Sequence, residues 1–139
     1  MTVSLRNRRN PISPMAANFG RICLSEPATL DLCVHRGDSG RFRVTVTDPD
    51  GLPVDVSAGT WDCDIRRTPD DPVLTATMQV TPVAGTTNAV DVILSAAEST
   101  KLTPGIAFVW DLELTLGTEV MTLLRGGFQV TPDVSRPGM

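Results

Sequence analysis

The 139 residues carry 12 basic and 16 acidic side chains, a net charge of −4, with four phenylalanines, two tryptophans and no tyrosine. That length holds one domain plus an appendage. No apolar run approaches the roughly 20 residues of a membrane helix, and no apolar stretch follows the early arginines to make a secretory leader.

Charge is unevenly placed. Residues 1–29 hold Arg6, Arg8, Arg9 and Arg21 against Glu26, a net of +3, and residues 30–139 hold eight basic and fifteen acidic groups, a net of −7. The first segment shows no period of two or 3.6 and carries Pro11, Pro14 and Pro27. This predicts an extended basic N-terminal arm over residues 1–29, with at most one helical turn near Met15–Phe19. A basic arm beside an acidic body is self-complementary, within one subunit or between neighbours. Arg6, Arg8, Arg9 and Arg21 are therefore the candidate protein-interface residues. Nucleic acid is not an expected partner, because these arginines lack interleaved aromatics and the body repels phosphate.

The predicted domain spans residues 30–139. Leu30, Leu32 and Val34 alternate with Asp31, Cys33 and His35, a first strand ending at Arg36-Gly37-Asp38; Phe42, Val44 and Val46 mark a second. Asp48-Pro49-Asp50-Gly51 is a turn signature, with proline second and glycine last. Trp61, Cys63 and Ile65 form the apolar phase of the next strand. After a loop at Thr68–Pro72, strands are expected over Val73–Val80 and Val90–Leu94. Ser95-Ala96-Ala97-Glu98 has the form of a capping box and predicts a short helical turn from Ala96 to Lys101.

From Phe108 to Leu116 every second residue is apolar (Phe108, Trp110, Leu112, Leu114, Leu116), the period of a strand with one face in a core. Gly117-Thr118 lets the chain reverse, Val120–Leu124 runs back beside it, and Gly126-Gly127 reads as a break before a closing strand through Phe128 and Val130. Together these make about seven or eight antiparallel strands at spacings of roughly ten residues, an all-β, immunoglobulin-like sandwich with one short helical turn. The likeness concerns architecture, since the Cys-Trp-Cys order of antibody domains does not occur.

The residues capable of chemistry have plainer explanations. Cys23, Cys33 and Cys63 are odd in number and form no C-x-x-C, so neither a zinc knuckle nor a redox motif results. Buried thiols are the default for Cys33 and Cys63, with a disulfide between facing strands as the alternative. His35, the only histidine, lies near Asp38 and Ser39 without a G-x-S-x-G elbow and reads as a surface or edge residue. Arg36-Gly37-Asp38 matches the cell-attachment tripeptide, but a glycine between strands is first a turn residue, and Asp38 suits a turn cap. Asp48, Asp50, Asp70 and Asp71 lack the alternating ligands and closing glutamate of an EF-hand. Asp62/Asp64 and Asp111/Glu113 sit on strand faces opposite the core, whereas a glycosidase pair faces across a cleft, often beside aromatic platforms. No catalytic residue, cofactor, metal or small-molecule substrate is expected.

Several ordered pieces carry a family resemblance. They are Arg36-Gly37-Asp38-Ser39 before Phe42, Val44 and Val46; Asp50-Gly51-Leu52-Pro53-Val54-Asp55-Val56; Trp61-Asp62-Cys63-Asp64-Ile65-Arg66; Leu94-Ser95 leading to Thr100-Lys101-Leu102-Thr103-Pro104-Gly105; Trp110-Asp111-Leu112-Glu113-Leu114; and Leu123 through Arg136. In this order they resemble the β-sandwich domain at the N-terminus of phage baseplate upper proteins and of many short siphophage tail or fibre proteins. The likeness covers about 100 of 139 residues, from His35 to Arg136, and leaves the basic arm outside it.

The resemblance implies a non-enzymatic virion component, often trimeric, that connects a tail or baseplate to further parts. The expected protein is a tail- or baseplate-associated minor tail protein, assembled in the host bacterial cytoplasm. It would form homo-oligomers and meet neighbouring virion proteins through its arm and sandwich. A head-decoration, capsid-cementing protein would use the same fold and arm. A carbohydrate- or receptor-binding module of a tail fibre is a third reading, and it requires exposed aromatics, whereas Trp61 and Trp110 both fall in the apolar phase of their strands.

Overall fold

A computed structural model describes residues 2–7 and 27–132, and the chain folds there as an all-β sandwich. In chain order the elements are β1 (Thr2–Asn7), β2 (Ala28–Thr29), β3 (Leu32–His35), β4 (Gly40–Thr47), β5 (Thr60–Arg66), β6 (Ala76–Thr77), β7 (Gln79–Pro82), β8 (Ala89–Leu94), the helical turn α1 (Ala96–Ser99), β9 (Phe108–Leu116) and β10 (Glu119–Thr131). One sheet has the order β1-β4-β8-β7, and the other β2-β10-β9-β5-β6 with β3 also on β10. Setting aside β2, β3 and β6, this is the order A-B-E-D opposite C-F-G of immunoglobulin sandwiches.

The core lies where the alternating rows meet. Phe42, Val44 and Val46 of β4 and Val90, Val92 and Leu94 of β8 face Cys63 and Ile65 of β5, Phe108 to Leu114 of β9, and Leu124, Phe128 and Val130 of β10. Burying each such aliphatic or aromatic side chain stabilises the fold by about 1.5–3 kcal/mol. Phe42 and Trp110 meet across the sandwich edge to face, with ring centroids 5.7 Å apart and planes at 74°, a favoured aromatic geometry. The turns follow their chemistry. Asp48 Oδ1 accepts the N–H groups of Asp50 and Leu52 at 2.9 Å each, while Gly51 takes φ 84°. In the β9–β10 hairpin Gly117 alone has positive φ (60°), the place a two-residue II′ turn gives to glycine.

Several expectations are corrected. The two described parts of the expected arm join the sandwich: Thr2–Asn7 pairs antiparallel with β4 and Ala28–Thr29 pairs with β10, while residues 8–26, with the helical turn expected near Met15–Phe19, lie outside the described residues. Nor are all strands antiparallel, because β2 and β3 run parallel to β10. The chain follows its own last strand before crossing to the other sheet at residues 36–39. Val73–Val80 is two strands, Ala76–Thr77 on β5 and Gln79–Pro82 on β8, since the chain changes sheets at buried Met78. Gly126-Gly127 is no break, as β10 runs through both. Instead a Cβ on Gly126 would lie 2.0 Å from the Leu30 carbonyl oxygen, so glycine there admits a close backbone approach.

The cysteines divide. Cys63 is buried as expected, but Cys33 is exposed, and both are free thiols. They lie on the same sheet with β10 and β9 between their strands, which precludes a bond across facing sheets. Trp61 is only partly buried against the core.

Candidate functional site

Around Arg36-Gly37-Asp38 the chain makes a structural clamp. Nε and Nη2 of Arg36 donate to the Thr100 carbonyl at 3.3 and 3.1 Å, and the Gly37 N–H donates to Oγ of Ser99 at 2.8 Å. Ser99 is the one fully buried polar residue among those described. The turn itself is closed by the Asp38 N–H on the His35 carbonyl, 3.0 Å. The tripeptide thus holds the end of α1 against the sheet junction. His35 turns instead to Thr131, whose hydroxyl meets its Nδ1.

At the other end of α1, Ser95 Oγ accepts the Glu98 N–H at 3.1 Å, completing the expected N-cap. The Glu98 carboxylate reaches elsewhere: it accepts the Thr77 N–H at 3.0 Å and pairs with Lys101. The Lys101 hydrogen bond and, secondarily, the Thr77 N–H hold this carboxyl below its usual range.

The outer face of the larger sheet is acidic. Register sets Asp62 opposite Glu113 and Asp64 opposite Asp111 across β5 and β9. Sequence places each pair on one strand; only the register brings the four carboxylates together. Arg66 reaches Asp64 at 3.4 Å, and Arg125 stands opposite Asp111 on β10. These residues line an open cleft of about 750 Å³ floored by β9. Directly opposed like charges are unfavourable in a sheet, and the carboxyls respond. Burial first, then Asp64, raises Asp111 against the opposing pull of Arg66. Burial, then Asp111, raises Glu113. Among the described residues no cluster of three His, Cys, Asp or Glu has the arrangement to hold a metal ion. The cleft is suited to attracting cationic groups.

Of the candidate interface arginines, Arg6 lies on β1 with Arg43 as its register partner. Arg43 is itself ion-paired to Asp91 at 2.9 Å. Arg8, Arg9 and Arg21 lie outside the described residues. The pairing of Thr2–Asn7 with Phe42–Thr47, from Thr2↔Thr47 to Asn7↔Phe42, is the feature that the sequence pattern missed. Its only local trace is Val3 and Leu5 between polar neighbours. No protein-family model matches this chain, and no curated protein matches it.

Proposed function

We propose that this protein is a structural component of a bacteriophage virion, a minor tail protein associated with the tail or baseplate. It assembles as a homo-oligomer through its first segment and its sandwich, and it meets neighbouring virion proteins there. The observation that carries this reading is the place of β1, an edge strand on β4 separated from β2 by residues 8–27. A short strand on a long connection can serve assembly, because it adds backbone pairing to a sheet edge without requiring a core of its own.

Three further features agree with it. The acidic outer face of β5 and β9 complements the arginines of the first segment. The immunoglobulin order of strands supplies a rigid body with loops at both ends, and the ordered motifs from Arg36 to Arg136 resemble phage baseplate-type sandwiches. The test is immunogold labelling of purified particles with antibody raised to this chain. Gold at the tail end is the expected result. Gold over the capsid would replace the tail role by head decoration, and unlabelled particles would overturn the virion reading.

A further inference from the structure

β1 and β2 belong to opposite sheets, and packed sheets lie about 10 Å apart. About four extended residues cross that distance, yet 20 residues, 8 to 27, separate Asn7 from Ala28. Fully extended, they reach roughly 66–72 Å. The longest strand of the sandwich, β10 with 13 residues, measures only about 44 Å at ~3.4 Å per residue. The connection therefore exceeds both the gap between the sheets and the length of the body.

β4 pairs with β8 along Gly40–Thr45 and with β1 along Phe42–Thr47. Without β1, the backbone beside wholly buried Val44 and Val46 becomes an open edge, which is a template for an incoming strand. The same six residues from another copy would restore the same register and the same hydrogen bonds. Closed and exchanged forms then differ only in chain entropy and in what the connection meets on its way. That connection carries Arg8, Arg9 and Arg21 against Glu26, and the second copy presents the acidic face of β5 and β9.

We infer that β1 is exchanged between copies: Thr2–Asn7 of one chain forms the edge strand on β4 of the next. This deepens the assembly proposed above and rests on it. Backbone pairing of Thr2–Asn7 with Phe42–Thr47 holds the subunits. The exchange closes either reciprocally in a pair or head to tail around a ring.

Two variants test it, Ser4→Cys and Thr45→Cys, which are register partners. In both, Cys23 and Cys33 are changed to Ser and buried Cys63 is kept. The two are mixed in denaturant, refolded together, oxidised and run on denaturing gels, with solution mass measured in parallel. The expected result is an oligomer whose mixture shows a band of two chain masses, absent when either variant is oxidised alone. An oligomer with no such band overturns strand exchange and leaves assembly standing. A single-chain mass at every concentration overturns both.

Discussion

Trp110 in β9 donates its indole N–H to the carbonyl of Leu30 at 2.9 Å, joining residues 80 positions apart. The same short stretch is fixed twice more: the Leu30 N–H donates to the Arg125 carbonyl at 2.9 Å, and Asp31 Oδ1 accepts the Gly127 N–H at 2.8 Å. The step between β2 and β3 is thus locked onto β9 and β10. The central ring of the core and the edge of the sheet depend on each other.

Replacing Trp110 separates packing from this bond. Trp110→Ala is expected to cost about 3–5 kcal/mol in denaturant unfolding, a large share of a small domain's stability. Trp110→Phe keeps most of the contact with Phe42 but leaves the Leu30 carbonyl without the indole, for about 1–3 kcal/mol. A Phe variant as stable as the parent would show that the bond contributes nothing.

The two glycines facing this step are expected to differ. A Cβ at Gly126 lies 2.0 Å from Leu30 O, whereas at Gly127 the nearest atom, Asp31 Oδ1, is 3.4 Å away. Gly126→Ala must push the β2–β3 step off the sheet and should cost about 1–3 kcal/mol or more. Gly127→Ala meets ordinary contact and should cost clearly less. Equal melting temperatures for the two variants would mean that Leu30 moves aside freely.

What the sequence shows and hides follows the range of the forces involved. The rows of β4, β5 and β9 are legible because one face of each is buried and alternation records it. The turn at Asp48–Gly51 and the cap at Ser95 are local hydrogen bonds and equally legible. β1 offers only Val3 and Leu5 as a period and is held by pairing with residues some 40 positions away, which no local pattern contains. Gly126-Gly127 looks like punctuation because the cause of the glycines, the Leu30 backbone, is distant in sequence. The acidic face is legible strand by strand, but its convergence depends on β5–β9 register.

The acidic face predicts a pH dependence. Asp111 and Glu113 have folded values raised above their ordinary ones, so the folded state holds their protons more tightly. Their contribution to stability is fully present below the ordinary carboxyl range and is lost as pH rises through the raised values. Asp111→Asn should therefore raise the melting temperature at neutral pH, with an advantage that shrinks on acidification. Asp64, Asp62 and Arg66 face the same group and are unchanged in that variant. Glu98, with a lowered value, behaves oppositely, and its contribution fades as pH falls. Melting curves of parent and variant across the acid range check this. An advantage of Asp111→Asn that grows on acidification would contradict it.

Thiol chemistry should follow burial. Burial, then the nearby Asp111 and Asp64, pushes the Cys63 thiol up, leaving it without reactive thiolate in the folded protein, while Cys33 is exposed. Alkylation followed by peptide mapping should label Cys33 under native conditions and Cys63 only in denaturant. Equal labelling of both in the native protein would show that β5 opens readily.

Assembly through the first strand is tested most directly by light scattering on the full chain and on Ser4→Pro/Leu5→Pro, at low and high salt. Proline at adjacent positions removes one backbone donor facing β4 whichever alternate set is bonded. The expected result is a full-length oligomer that survives high salt and falls to single chains in the proline variant. A single-chain mass for the full protein, or an oligomer indifferent to both prolines, would contradict assembly through β1.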